Sequence, residues 1–288
     1  MAPPIIMHVN YCEQGQTIDE MCCKAVNWGY DGIEFRRASR YFDYTPEEYV
    51  DNIAAAANRY GLKYVLFGGP GADLTSPDAS VRAAEVAKAE AFFRMAAQRV
   101  KLTVCNTVTG SLSNPDRSIP YTQYDLHGSA IATAEIWDWA AAGFRRLGAV
   151  AQELGFRFAF ETHMNYLHDL PAAAKKLVDM IDIPAVGINL DYGNTVYFKN
   201  PPPVTDVIAE MGAQIYYVHL KNSIPGPDRR IATALGEGGI NHREYLKALR
   251  SAGYTGPICL EAPRPGDREW YAQEDITYIK SVLTDIGW

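Results

Sequence analysis

Short apolar segments rich in β-branched and aromatic residues alternate with longer, Ala-rich amphipathic segments along the whole 288-residue chain. This alternation is typical of parallel βα units, because a strand buried on both faces reads as a short apolar run and its covering helix has one apolar face. Eight such pairs can be counted. Their strands are predicted at Ile5–Asn10, Gly32–Phe35, Tyr64–Gly68, Leu102–Thr107, Arg157–His163, Val186–Asp191, Ile215–Lys221 and Pro257–Glu261.

A predicted helix follows each of these strands. The helices are predicted at Ile18–Asn27, Pro46–Tyr60, Val81–Val100, Ala130–Leu154, Leu170–Met180, Val204–Met211, His242–Ala252 and Glu274–Leu283. Thr45 precedes the second helix as a candidate N-cap. Left-handed C-cap residues are predicted at the glycines that follow four helices, Gly61, Gly155, Gly212 and Gly253.

Eight βα pairs without a dividing linker predict a single α/β domain over residues 1–288, a closed (β/α)8 TIM barrel. A doubly wound open sheet usually has fewer strands and a glycine-rich nucleotide turn, and no G-x-G-x-x-G follows the first strand here. The segment Gly68-Gly69-Pro70-Gly71 lacks the Lys-Ser/Thr ending of a phosphate loop. We therefore interpret it as a turn.

The composition excludes several classes of protein. Hydrophobic residues make up 48% and charged residues 21% of the chain, which is enough apolar material for a core and argues against disorder. The net charge of -7, without a long run of Lys and Arg, argues against a nucleic-acid partner. The five cysteines lack disulfide or zinc spacing, and no apolar window is long enough to span a membrane. We expect a cytoplasmic protein without a membrane partner.

Four successive predicted strands each carry one potential metal ligand at or near the carboxyl end, where barrel enzymes place their functional groups. The strands read RFAFETH, VGINLD, IYYVHLK and PICLEA, and the residues are Glu161, Asp191, His219 and Glu261.

Side-chain alternation along each strand turns these four residues toward the inside of the barrel, whereas large apolar neighbours such as Phe160 and Leu190 take the other face. Three carboxylates in one cavity would repel one another and suffer desolvation unless a cation compensated them. Three carboxylates and one imidazole suit a hard divalent ion. We therefore predict one divalent metal, with Mn²⁺ preferred and Mg²⁺, Co²⁺ or Zn²⁺ as alternatives.

Other polar residues are predicted to line the same mouth. His163 follows Glu161 by two residues, so it shares the inward face and is a candidate catalytic base. Inward positions also belong to His8, Glu34, Arg36 and Lys221. Of these, His8, Arg36 and Lys221 are candidate substrate contacts. So are loop residues after the eighth and seventh strands, Arg264 and the cluster Asp228, Arg229 and Arg230.

At these residues the sequence resembles the xylose isomerase-like superfamily of sugar isomerases and epimerases, which includes ketose 3-epimerases, inosose-processing enzymes and apurinic endonucleases. The resemblance rests on FETH at 160–163, NLDYGN at 189–194, VHLKN at 218–222 and LGEGGINHREYLKALRSAGYTGPICLEAP at 235–263. It implies that Glu161, Asp191, His219 and Glu261 are the metal ligands.

The sequence also departs from the pattern of the family's epimerases. Asn194 stands where they tend to carry His, so it is predicted to contact substrate in its place, and Asn222 stands where they often carry Asp. These departures weigh against an ordinary ketose 3-epimerase. At His163 the chain instead resembles members that split 3-keto glycosides by elimination.

Together these residues predict a metal-dependent sugar isomerase or epimerase that acts on a keto-sugar or polyol through an enediolate, with Glu161 and Glu261 as base and acid. Elimination by a lyase or dehydratase, with His163 as base, stays open. An abasic-site phosphodiesterase would need further His ligands and is opposed by the acidic charge. A non-catalytic barrel that supports a partner subunit is a third hypothesis. The predicted partner is a small carbohydrate, and self-association stays open.

Overall fold

The computed structural model describes residues 2–69, 71–227, 229–262 and 264–288. Within them, eight parallel strands close into a barrel in the order β1-β8-β7-β6-β5-β4-β3-β2. The strands are β1 Ile5–His8, β2 Gly32–Arg36, β3 Tyr64–Gly68, β4 Leu102–Thr107, β5 Arg157–Glu161, β6 Val186–Asp191, β7 Ile215–Leu220 and β8 Ile258–Leu260. The predicted TIM barrel is confirmed. Pro70 of the predicted turn, Asp228 of the loop cluster and Pro263 of the last motif lie outside the described residues.

The outer layer consists of helices that follow the strands. They are α1 Ile18–Trp28, α2 Pro46–Tyr60, α3 Ala79–Ala97, α4 Ala134–Leu154, α5 Pro171–Ile181, the short α6 Tyr192–Thr195, α7 Val204–Met211, α8 His242–Ser251 and α9 Arg268–Asp285. After β7, Ser223–Ile224 pairs antiparallel with Ile231–Ala232. No helix in the described ranges is long and apolar enough to cross a membrane.

The helix ends largely follow local sequence rules. Thr45 caps α2 by accepting a hydrogen bond from the Glu48 backbone N–H, and the Glu48 side chain accepts one from the Thr45 N–H in return. Three of the predicted C-cap glycines have positive φ: Gly61, Gly155 and Gly253. The prediction for Gly212 was wrong. Its φ is −45° because the chain continues from α7 into a 3-10 turn over Gly212–Gln214.

Two strands end two residues earlier than predicted because side chains take over backbone groups at the mouth. β1 ends at His8, where the imidazole Nδ1 accepts the N–H of Asn10 at 3.1 Å and begins a 3-10 turn. β5 ends at Glu161, whose carbonyl oxygen lies 2.5 Å from His168 Nδ1. His163 therefore belongs to the loop after β5.

The inside of the barrel has an apolar layer below a polar one. The apolar layer is a buried cluster of one side chain from each of six strands, Ile6, Leu66, Val104, Ala159, Tyr217 and Cys259. The next inward position toward the mouth lies two residues further along each strand, and most of these positions carry polar side chains. They include His8, Asn106, Glu161, His219 and Glu261, and Asp191 on β6 lies in the same layer. The opposite faces, including Phe160 and Leu190, pack in the core shared with the helices. The apolar layer thus closes the barrel beneath a polar mouth.

Candidate metal centre and active site

Glu161, Asp191, His219 and Glu261 meet at the carboxyl mouth of the barrel. One ligand atom from each lies within 4.8 Å of all the others. His219 Nδ1 is 2.8 Å from Glu261 Oε2, 3.6 Å from Glu161 Oε2 and 3.9 Å from Asp191 Oδ2. Strand register produces this arrangement, because Asp191 pairs with His219 across β6 and β7, and Cys259 pairs with His219 across β7 and β8.

The donor set fits a divalent cation. In the described part of the chain, neither Asp191 Oδ2 nor His219 Nδ1 makes a hydrogen bond of good geometry, although both atoms are buried. Three carboxylates and one imidazole are ligands that Mg²⁺ and Mn²⁺ accept. These four residues are therefore able to hold a metal ion.

Lys221 lies against the same carboxylates. Its Nζ is 2.7 Å from Asp191 Oδ2, 3.2 Å from Glu261 Oε2 and 3.6 Å from Glu161 Oε1. The residue lines the cavity, as predicted for a substrate contact, but its ammonium is already paired with the candidate ligands. A divalent ion bound by these residues would share the three carboxylates with the Lys221 ammonium.

Burial opposes ionisation in this cluster, and neighbouring cations outweigh it at two of the three carboxyl groups. Burial would raise the pKa of Glu161, but Lys221 and His219 outweigh it and lower that pKa to about 2. The pKa of Glu261 also falls well below its ordinary value, because His8 and Lys221 outweigh the effect of burial. Burial prevails at Asp191 and raises its pKa to about 7, against the opposing effect of Lys221. Glu161 and Glu261 are thus carboxylates at neutral pH.

Two asparagines hold the Glu161 carboxylate. Asn106 Nδ2 donates to Oε2 at 3.1 Å, and Asn194 Nδ2 donates to Oε1 at 2.9 Å. The sequence predicts Asn194 to contact substrate. Its backbone N–H donates to Asp191 Oδ1 in the turn of α6, which places the side chain behind Glu161 instead of on the cavity wall.

A cavity of about 410 Å³ opens beside the cluster, a size typical of small-molecule sites. His8 and His163 lie on its wall. His163 Nδ1 is 2.9 Å from the Met164 carbonyl oxygen, and its ring packs edge-on against Tyr166. Gly68 and Gly69 also line the cavity and contribute no side chains to its wall.

The two arginines predicted to contact substrate are paired with carboxylates. Arg36 lines the cavity, but its Nε and Nη2 donate to Glu13 at 2.5 and 2.8 Å. Arg264 is the second of them, and its buried guanidinium donates to Asp275 at 3.1 Å and lies over the Tyr271 ring. The side chain after β8 therefore faces α9 instead of the cavity.

Asn106 is a site residue that the sequence analysis did not single out. It is 4% exposed, it lines the cavity, and its Oδ1 has no hydrogen-bond partner among the described residues. Because a carboxylate can only accept, the amide nitrogen must face Glu161, which leaves the oxygen to accept from a ligand. Its inward position two residues after Val104 follows from the same alternation that identifies Glu161.

The fold and this cluster define the class of the protein as a closed (β/α)8 barrel with a site able to hold a divalent metal at its carboxyl mouth. Residues 23–282 match the family model described as xylose isomerase-like TIM barrel. The chain therefore belongs to the xylose isomerase-like TIM barrel family.

Among sequence relatives, the chain is similar to an inosose dehydratase from Clostridium perfringens, with 26% identity over 171 residues. The alignment covers 53% of this chain and 57% of the dehydratase, so the chain spans little more than half the length of that relative.

Among solved structures, the fold is similar to that of a xylose isomerase-like TIM barrel protein from Mycobacterium smegmatis in complex with magnesium. The TM-score is 0.75, with 20% identity and 99% of each chain covered. A D-psicose 3-epimerase studied in the presence of D-fructose gives a TM-score of 0.76, with 20% identity over 97% of this chain and 99% of that chain. These similarities show a shared fold.

Proposed function

We propose that this protein is a divalent-metal-dependent sugar isomerase or epimerase that removes a proton α to the carbonyl of a keto-sugar or keto-polyol. The observation that carries the proposal is the pair Glu161 and Glu261, two carboxylates that border one cavity and share the candidate metal centre. Membership of the xylose isomerase-like TIM barrel family supports this reaction class.

The proposed reaction needs a cation that stabilises negative charge on the substrate and two groups that accept and donate a proton. A divalent ion bound by Glu161, Asp191, His219 and Glu261, with Mn²⁺ preferred, would polarise the substrate carbonyl and make the neighbouring C–H more acidic. Glu161 ends β5 and Glu261 follows β8, with β6 and β7 between them in the barrel. The two carboxylates therefore approach a bound sugar from different directions.

The separation of Glu161 and Glu261 allows either of two reactions. If one carboxylate takes the proton from carbon and the other returns a proton to the opposite face, the product is an epimer. If the same group returns the proton to the neighbouring carbon, an aldose and a ketose interconvert. Lys221 Nζ, beside both carboxylates, would hold the oxygen on which negative charge develops, and Asn106 Oδ1 would accept a hydrogen bond from a substrate hydroxyl.

The matched inosose dehydratases favour a second candidate function, a metal-dependent dehydratase of an inosose or a lyase of a 3-keto glycoside. Elimination starts with the same removal of a proton α to the carbonyl. The electron pair then forms a C=C bond as the group on the next carbon leaves with a proton. His163, on the cavity wall, is the proposed base for this reaction.

Isotope exchange tests the reaction class. Purified protein with Mn²⁺ is incubated in D₂O with D-fructose, D-psicose or an inosose, and the sugars are analysed by NMR and mass spectrometry. An isomerase or epimerase introduces solvent deuterium at the carbon beside the carbonyl, whereas a dehydratase gives a product lighter by one water. If neither product nor exchange appears with any sugar and any of the four metals, the proposal fails for these substrate classes.

A substitution at Glu161 tests the proposed base. Glu161→Gln keeps the size of the side chain but cannot accept a proton, so turnover should fall by about 10²–10⁴-fold. Circular dichroism should show an unchanged fold. The matched control is Glu153→Gln on the exposed side of α4, which should keep wild-type turnover. Wild-type turnover in Glu161→Gln would refute the role of Glu161.

A further inference from the structure

Glu34 on β2 joins two strands that are not neighbours in the barrel. Its side chain is 1% exposed, and its Oε2 accepts hydrogen bonds from Tyr217 Oη at 2.6 Å and from His219 Nε2 at 2.8 Å, both on β7. In the barrel order, β1 and β8 separate β2 from β7. The carboxylate therefore reaches across the inside of the barrel directly beneath the candidate metal centre.

The surroundings hold Glu34 in one position. A Cβ atom at Gly68 on β3 would overlap Glu34 Oε1, so only glycine leaves room for the carboxylate there. On the other side, the rings of Tyr217 and His219 pack edge-on with their centroids 5.0 Å apart. A buried carboxylate without hydrogen-bond partners would be costly. Here its partners are Tyr217 and His219, and the bond to His219 also restrains the imidazole ring.

The chemistry of this contact decides which nitrogen of His219 can bind a metal. An ionised carboxylate only accepts hydrogen bonds, so His219 Nε2 must carry the hydrogen. In a neutral imidazole the lone pair then lies on Nδ1, which is the atom that faces Glu161, Asp191 and Glu261.

We propose that Glu34 is a positioning residue that fixes the tautomer and orientation of His219 and thereby tightens binding of the divalent metal. A carboxylate behind a histidine ligand orients the ring and makes the ligating nitrogen more basic. This inference rests on the metal dependence in the proposed function, but it concerns affinity for the metal and requires no particular sugar or reaction.

Metal binding alone tests the proposal. Manganese affinity is measured for wild type, Glu34→Ala and Glu34→Gln by the electron paramagnetic resonance signal of free Mn²⁺. Glu34→Ala should raise the Kd by about 10–100-fold. Glu34→Gln removes the charge but keeps an oxygen that can accept from Nε2, so its Kd should lie between the two. The matched control, Tyr217→Phe, removes only the second hydrogen bond to Glu34 and should change the Kd less than Glu34→Ala does.

A spectroscopic readout separates positioning from loss of fold. Electron spin echo modulation from the imidazole nitrogens of His219 should change in both Glu34 variants and stay near wild type in Tyr217→Phe. Circular dichroism identifies any variant that fails to fold. If Glu34→Ala does not fold, the Kd and nitrogen coupling of Glu34→Gln test the proposal. Wild-type affinity and unchanged nitrogen coupling in folded Glu34 variants would overturn the inference.

The result also distinguishes this inference from the proposed function. A wild-type protein that binds no Mn²⁺, Mg²⁺, Co²⁺ or Zn²⁺ would overturn both. A protein that binds Mn²⁺ but converts no sugar would count against the proposed function, while the variant affinities would still support or overturn the role of Glu34.

Discussion

At the scale of single residues, buried charges depend on a few named partners. Asp275 on α9 is fully buried and accepts hydrogen bonds from Tyr11 Oη at 2.6 Å, Leu235 N at 3.0 Å and Arg264 Nη1 at 3.1 Å. The loops after β1, β7 and β8 therefore converge on one carboxylate. This convergence ties together three segments that border the mouth.

Loss of Arg264 should destabilise the protein. In Arg264→Met the Asp275 carboxylate would stay buried without its cation, so the free energy of unfolding should fall by about 3 kcal/mol. Urea denaturation measures this change. Arg243→Met is the matched control, because Arg243 pairs with Asp285 on the surface and should cost less than about 1 kcal/mol. Equal losses in the two variants would contradict the role assigned to Arg264.

His242 should make stability depend on pH. Burial lowers the pKa of this fully buried imidazole from its ordinary 6.5 to about 4, and Nδ1 lies 2.9 Å from the Leu235 carbonyl oxygen. The unfolded chain therefore takes up the proton at a higher pH than the folded protein. The contribution of His242 to stability is complete above pH 6.5 and is lost as the pH falls toward 4.

The corresponding variant isolates this contribution. Between pH 7.5 and pH 5, His242 should account for a loss of about 2 kcal/mol in the free energy of unfolding. His242→Asn keeps a hydrogen-bond donor near Leu235 but does not titrate, so its loss over this range should be smaller by that amount. Urea denaturation at both pH values provides the measurement, and parallel pH profiles for wild type and variant would disprove the prediction.

At the scale of elements, the outer helices lie close enough to the barrel that single methyl groups matter. Gly148 in the middle of α4 is buried, and a Cβ atom there would overlap Val186 at the start of β6. Both partners belong to regular elements, so neither can move without shifting its neighbours. The close approach of α4 to β6 therefore depends on a glycine that helix propensity alone would disfavour.

A pair of substitutions in α4 separates packing from propensity. Gly148→Ala should lower the free energy of unfolding by about 1–3 kcal/mol, because overpacking outweighs the gain in helix propensity. At the neighbouring exposed position, Ala149→Gly should cost about 1 kcal/mol from propensity alone. Thermal and urea denaturation report both values. If Gly148→Ala were stabilising, the close packing of α4 against β6 would be refuted.

At the scale of the whole molecule, the candidate metal centre links four strands that are distant in sequence. A ligand that binds only the folded barrel stabilises the entire fold by mass action. Mn²⁺ at about 100 times its Kd should add about 2.7 kcal/mol, which corresponds to a rise in Tm of about 4–5 °C for a chain of this size. Chelation with EDTA should reverse the rise.

The metal-induced rise in Tm should require the predicted ligands. Asp191→Asn should abolish most of the shift, whereas Asp138→Asn, a substitution on the exposed surface of α4, should leave it intact. Differential scanning calorimetry with and without Mn²⁺ compares the two variants. The same rise in both would mean that Mn²⁺ stabilises the protein at another location.

Much of this protein could be predicted from local pattern. Short apolar segments that alternate with amphipathic ones predicted the eight strands. The alternation of side chains along each strand then turned Glu161, Asp191, His219 and Glu261 inward, where the structure brings their ligand atoms together. The N-cap at Thr45 was likewise predictable, because its atoms lie within one helical turn. These features depend on residues that are close in sequence or on the two-residue period of a strand.

Only the tertiary structure decided which partner each polar group meets. Arg264 and Asn194 were predicted to face substrate, but the loop path turns the first toward Asp275 and the α6 turn brings the second behind Glu161. Glu34 was predicted to point inward, yet its contact with His219 depends on the width and register of the closed barrel. The strand period specifies the face on which a side chain lies, whereas barrel closure and loop paths set its distance from residues that are remote in sequence.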